Sequence, residues 1–263
     1  MSKLVMVKLG GSIITDVNKY KTPKISEIRR LAKEIKRSNN TNLIIGHGGG
    51  SFPHVPAHKY GTSNGLYRKD SRIGASITQK SAAELHQIIM SSLISCGINA
   101  FSFSPSSSVV ASGRTIIKWD ISPIKAALKL GFIPVVYGDV AIDTKQGVCI
   151  VSTEEVFRYL SRKLKPKKII IGTDVDGVFT SDPKTSDSAK LITVINRGNL
   201  NKANFSSRSR KFNVTGSMRS KVLALYEISK DSHAVCQIIN ANKRGRMYDA
   251  ISGKKVMSTI IRG

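Results

Sequence analysis

The chain has 263 residues, 40% of them hydrophobic, enough to bury the core of one large α/β domain or of two lobes sharing a sheet. No apolar run approaches the roughly 18 residues of a membrane span, and the apolar start Leu4-Val5-Met6-Val7 is broken by Lys8 and then Gly10-Gly11, so neither a span nor a signal peptide is expected and a cytoplasmic location is. Three widely spaced cysteines, Cys96, Cys149 and Cys236, fit neither a disulfide framework nor a zinc site, and the net charge of +25, from 42 Lys and Arg against 17 Asp and Glu, favours phosphorylated or polyanionic partners.

Residues 3–9 read as a buried strand, followed by a helix over 26–36 with Ile28, Leu31 and Ile35 on one face and Arg29, Arg30, Lys33 and Lys36 on the other. A second strand at 42–45 runs straight into glycines. A long helix over 77–96 has a buried stripe of Ala82, Leu85, Ile89, Leu93 and Cys96, then come a strand at 100–103, a helix at 121–130 and a strand at 132–137. From about residue 165 the alternation restarts with a strand at 168–172, a polar loop to about Gly216, a helix at 217–229 and strands at 235–239 and 256–261. Within that loop, residues 196–213 are too polar to pack and are expected to be a mobile excursion. Strands alternating with amphipathic helices predict a largely parallel sheet covered on both faces, a three-layer αβα sandwich in two lobes, 1–165 and 166–263.

Lys8-Leu9-Gly10-Gly11-Ser12 ends the first strand, where glycines let backbone amides approach an anion and a lysine adds a point charge. His47-Gly48-Gly49-Gly50-Ser51-Phe52-Pro53-His54 follows the second strand. Three consecutive glycines there cost backbone entropy unless something must come close, so this loop reads as a second anion nest, with His54 as an imidazolium able to hold a phosphate oxygen. Pro53, Pro56 and His58 around it read as an exposed, stiff loop. Thr173-Asp174-Val175-Asp176-Gly177 ends the first strand of the second lobe, where carboxylates typically face a nucleotide, and Thr215-Gly216-Ser217-Met218-Arg219-Ser220-Lys221 opens a helix whose free amides and Lys221 would face a phosphate. The basic clusters, such as Arg162-Lys163-Leu164-Lys165-Pro166-Lys167-Lys168, lack interleaved aromatics and read as solvated surface, so no specific nucleic-acid partner is expected. No Walker loop, helical His-Glu zinc pair or serine elbow is present, which leaves phosphate chemistry.

These motifs, together with Tyr137-Gly138-Asp139-Val140, stand in the order and spacing of the amino acid kinase family, which the chain resembles over essentially its whole length. The Gly-Gly-Gly-Ser-Phe-x-His form of the second loop resembles the isopentenyl phosphate kinase branch. The resemblance implies ATP-dependent phosphorylation of isopentenyl phosphate to isopentenyl diphosphate, the last step of an archaeal-type mevalonate route, by a homodimer using ATP and Mg²⁺, without a protein-held metal. It implies that Lys8, His54 and Lys221 are catalytic, and that Lys8, Gly10, Gly11, Ser12, Asp174, Asp176, Gly177, Gly216 and Lys221 hold the nucleotide. Gly49, Gly50, His54, Ala75 and Thr153 would bind the acceptor, whose tail would lie on the side of the long helix carrying Ala75, Thr78 and Ala82. Several positions depart from the family, among them Pro53 and Ser217, each in place of a glycine. Val17 stands where members carry lysine, so Lys19 or Lys21 would take over, and Ser152-Thr153-Glu154-Glu155 replaces Ser-Gly-Asp-Asp/Glu, lengthening a carboxylate by one methylene. A carboxylate, carbamate or nucleoside monophosphate acceptor, or a weakly catalytic nucleotide- or nucleic-acid-binding protein, are the alternatives on the same fold.

Overall fold

The computed structural model describes residues 3–183, 185–200 and 218–263. The first half alternates as the periodicity requires: β1 (Val5–Leu9), the single-turn α1 (Gly11–Ile14), α2 (Ile25–Arg37), β2 (Leu43–His47), α3 (His54–Tyr60), α4 (Ser71–Ser95) and β3 (Ala100–Ser102). Then follow β4 (Val110–Ser112), β5 (Thr115–Lys118), α5 (Ser122–Lys129), β6 (Ile133–Tyr137), β7 (Asp139–Asp143), β8 (Gly147–Val151) and α6 (Thr153–Leu164). The remainder comprises β9 (Lys168–Thr173), β10 (Val178–Phe179), β11 (Leu191–Ile192), β12 (Val194–Ile195), α7 (Met218–Ser232), β13 (Val235–Asn240), α8 (Arg246–Ile251) and β14 (Ser258–Ile261).

Eight strands form the main sheet in the order β12-β14-β13-β9-β1-β2-β6-β3, parallel except where β13 meets β14. The three-layer αβα architecture expected from the alternation is the one found. Val5, Val7 and Leu9 face the layer of α2, α4 and α8, whereas Met6 faces that of α5, α6 and α7. The period of two in β1 therefore turns Lys8 toward α6 and α7, and in β2 it turns His47, like Leu43 and Ile45, toward α4. β9 pairs with β1 along its length, so one sheet continues past residue 165, which lies between α6 and β9.

Three expectations need correction. The segment around His54 is not an exposed loop but helix α3: Pro53 is its N-cap and Pro56 lies in its first turn, where a proline's missing N–H costs no helical bond. Gly74 has no room for a side chain, since a Cβ there would stand 2.2 Å from Tyr60 Cβ, and this contact lets α3 pack on α4, which begins earlier than its apolar stripe suggested. A second sheet, β5-β4-β7-β8, was missed, because strands of three to five residues carry too few alternations to register. Of the cysteines, Cys149 and Cys236 are buried and Cys96 is half-buried. Most of 196–213, together with Thr215, Gly216 and Ser217, lies outside the described residues.

Candidate active site

A cavity of about 710 Å³ opens at the C-terminal ends of β1, β2 and β9, where an open parallel sheet ordinarily receives its ligand. Its floor is two glycine loops packed backbone to backbone. A Cβ on Gly11 would stand 2.6 Å from Gly50 N, and one on Gly50, at φ +54°, would stand 2.1 Å from Thr15 Oγ1. The glycines are thus required twice, by the mutual approach of the loops and by the left-handed backbone at Gly50. Ser12 Oγ lies 3.3 Å from Asp174 Oδ1, joining the first loop to the end of β9, and Lys24 Nζ donates to Ser12 O at 2.9 Å.

Lys8 is buried and its Nζ lies 2.5 Å from Glu154 Oε1. The pair follows from local packing: Gly46 on β2 leaves room for Thr153 and Phe157, so the start of α6 settles directly onto the sheet. Ser152 caps that helix by accepting from Glu155 N, and Thr153 Oγ1 donates to His47 O at 2.7 Å. Burial works to raise the Glu154 carboxyl, but the charges of Lys8 and Lys221 and the hydrogen bond from Lys8 outweigh it and hold it below its ordinary value.

His54, at the first position of α3, aims its Nε2 at the glycine loop, 3.6 Å from where a Cβ on Gly49 would be. Burial, reinforced by the charges of Lys8 and Lys221, pushes its pKa down to about 4. The imidazolium expected from the sequence is therefore a neutral imidazole in the free protein, a donor through one ring N–H.

The cavity brings together Lys8, Gly10, Gly11, Ser12, Gly49, Gly50, His54, Thr153, Asp174, Gly177 and Lys221. Two expected residues, Ala75 and Asp176, stand elsewhere. Ala75 is packed against Val140 and Val148, and it is Thr78 and Ala82, further along α4, that line the cavity. Asp176 forms an ion pair with Arg246 at the start of α8. Gly216 lies outside the described residues. Sequence reasoning did not assign Glu154, whose link to Lys8 spans 146 residues, nor Asp139, a buried carboxylate of the cavity wall that accepts from Ser106 N and Val140 N.

Val17 lines the cavity, whereas Lys21 pairs with Glu84 of α4 at 2.5 Å. Lys19 is exposed, and neither Lys19 nor Lys21 is among the residues lining the cavity. Changing both to Ala is expected to leave kcat within about threefold, the scale of a half-exposed ion pair. A hundredfold loss in steady-state turnover would return one of them to the site. No group of three or more His, Cys, Asp or Glu able to hold a metal ion occurs among the described residues.

A buried lysine pair-bonded to a carboxylate, a second lysine and two amide-rich loops around one cavity define a site for moving a phosphoryl group between anions. The Amino acid kinase family model matches residues 3–240, and the chain belongs to that family. It is 33% identical to the isopentenyl phosphate kinase of Methanothermobacter thermautotrophicus over 99% of each chain. It is 34% identical to that of Methanocaldococcus jannaschii over 95% of this chain and 96% of the relative. A crystal structure of isopentenyl phosphate kinase superposes with a TM-score of 0.86 at 30% identity, covering 98% of this chain and 99% of the other.

Proposed function

We propose that this chain transfers the γ-phosphoryl group of ATP to the phosphate of isopentenyl phosphate, giving isopentenyl diphosphate and ADP. The observation that carries the reading is the position of His54 against the Gly48–Gly50 loop, at one end of a cavity whose other walls supply Lys8, Lys221 and the Gly10-Gly11-Ser12 loop. An acceptor phosphate held by the Gly49 and Gly50 amides and by the His54 N–H would present an oxygen to the γ-phosphorus of a nucleotide held by Gly10, Gly11 and Ser12. The new P–O bond forms as the β,γ-bridging P–O bond breaks, and ADP leaves with the bridging oxygen.

Little covalent work falls to the protein in such a transfer, so the rate comes from alignment and from cancelling repulsion between two anions. Lys8 and Lys221 supply that cancellation in a partly desolvated site, where a fixed charge counts for more than in water. Glu154 holds Lys8 in place and offsets part of the positive charge that Lys8 and Lys221 bring to the site. Mg²⁺ would come with the nucleotide and would neutralise part of its phosphate charge. In this reading residues 1–165 supply the acceptor side and 166–263 much of the nucleotide side, in a cytoplasmic homodimer. Among the described residues no helix is long and apolar enough to cross a membrane.

The test is a coupled kinase assay with isopentenyl, dimethylallyl and longer prenyl monophosphates beside carboxylate, carbamate and UMP acceptors. Turnover confined to the non-prenyl acceptors would overturn the reading. The tail of the acceptor would run along Thr78 and Ala82, so Ala82→Phe is expected to lower kcat/KM for the longer prenyl phosphates about tenfold more than for isopentenyl phosphate. Equal losses for all chain lengths would take Ala82 out of the tail site.

A further inference from the structure

Beneath the second glycine loop lies a buried polar cluster that the reaction does not use. His47 Nδ1 is 3.2 Å from Gly48 O, His47 Nε2 is 2.9 Å from His86 Nδ1 on α4, and His86 Nε2 is 2.6 Å from Ser102 Oγ at the end of β3. Both imidazoles are buried, and both lie face to face with the Tyr137 ring, at centroid distances of 5.2 and 4.3 Å.

Chemistry gives this chain one direction. A carbonyl oxygen only accepts, so His47 carries its proton on Nδ1 and its Nε2 must accept. His86 Nδ1 is then the donor, His86 Nε2 accepts, and the Ser102 hydroxyl donates to it. The arrangement needs both rings neutral, and burial holds both below the ordinary histidine pKa.

The end of the chain is a peptide of the anion nest. Peptide bonds here are trans, so the Gly48 carbonyl and the Gly49 N–H point in opposite directions. With the carbonyl turned down to the buried His47 ring, the Gly49 N–H is turned up toward the cavity that Gly48, Gly49 and Gly50 line. Among the described residues that N–H has no protein partner. A glycine–glycine peptide has no side chains to resist flipping, so its orientation has to be imposed from outside. The neighbouring carbonyl is also held: His47 O accepts from Thr153 Oγ1 and from Gly138 N.

We propose that Ser102, His86 and His47 form a one-way hydrogen-bond chain that locks the Gly48–Gly49 peptide, making His47 and His86 positioning residues for the amide that binds the acceptor phosphate. This rests on the acceptor assignment proposed above. It predicts a particular pattern: loss of the chain weakens the acceptor and spares ATP, whose loop is anchored separately through Asp174 and Lys24.

The experiment compares His86→Phe, which keeps a ring against Tyr137 but no donor, with His86→Asn, whose amide puts a donor at the Nδ1 position. Thermal denaturation is recorded for both. In His86→Phe the KM for isopentenyl phosphate should rise about tenfold, the scale of one lost hydrogen bond to a charged group, while the KM for ATP stays within about twofold. His86→Asn should recover most of that loss. The inference is overturned if His86→Phe has a wild-type acceptor KM, if the KM for acceptor and ATP rise together, or if His86→Asn is no better than His86→Phe. Should His86→Phe fail to fold, His47→Asn, which keeps the Nδ1-type donor, against His47→Gln, which does not, asks the same question with the same ordering expected. Wild-type turnover of isopentenyl phosphate tests the acceptor assignment separately. Calorimetric binding of inorganic phosphate, weaker in His86→Phe than in wild type, tests the peptide lock even without turnover, and equal binding would overturn it.

Discussion

Replacing Lys8 with methionine is expected to lower kcat/KM on the order of a thousandfold, because it removes a fixed charge from a largely buried site where charge accumulates in the transition state. The same change leaves Glu154 buried beside Lys221 alone, and abandoning one partner of a buried ion pair costs about 3–5 kcal/mol of stability. Activity and stability should then separate in the double variant. Lys8→Met with Glu154→Gln removes the stranded charge, so the denaturation midpoint should return most of the way while turnover stays lost. The pH dependence has a definite sign. A carboxyl held below its ordinary value adds stability at neutral pH that is lost as pH falls through its folded pKa, so the acid limb of wild-type stability should flatten in the double variant. Recovery of turnover in that variant would remove Lys8 from the chemistry.

What the sequence revealed and what it hid divide along range. The glycine loops were legible because a strand of apolar residues running into two or three glycines has a local cause, the approach of backbone to backbone or to an anion. The strands of the main sheet were legible for the same reason: Val5, Met6 and Val7, or Ile169, Ile170 and Ile171, are buried on both faces and read as continuous apolar runs. The pairing of Lys8 with Glu154 was not legible, since it depends on Gly46 letting α6 descend onto β2, a contact between segments about a hundred residues apart. His47 and His86 looked like a loop residue and one position of an amphipathic helix until α4 packed across β2. Helix α3 was misread because two prolines suggest a loop, although both stand where a helix tolerates them. Of the three small residues of α4 expected to share one side, Thr78 and Ala82 line the cavity and Ala75 does not. Ala75 and Thr78 share a side of α4, and only the position of β7 and β8 decides which of them meets the cavity.

His54→Ala is expected to reduce kcat/KM for isopentenyl phosphate roughly tenfold to a hundredfold, the worth of a hydrogen bond to a charged group, with the KM for ATP nearly unchanged. The neutral state of the ring sharpens what the conservative variants should do. Were His54 a cation, glutamine would restore only a small part of the loss. With its pKa near 4 in the free protein it acts through a neutral N–H, and His54→Gln, whose amide reaches the Nε2 position, should recover the larger share. The pH profile separates the two cases even though the acceptor phosphate itself titrates near pH 6. Since kcat/KM reports the free protein and free acceptor, the acceptor's ionisation cancels in the ratio of wild type to His54→Gln. That ratio should be constant between about pH 5.5 and 8.5, because His54 does not change charge in that window. A ratio that climbs as pH falls through 7 toward 6 would mean that the ring gains its proton there, and the neutral-donor assignment would be wrong; wild-type acceptor kinetics in His54→Ala would remove the histidine from the acceptor site altogether.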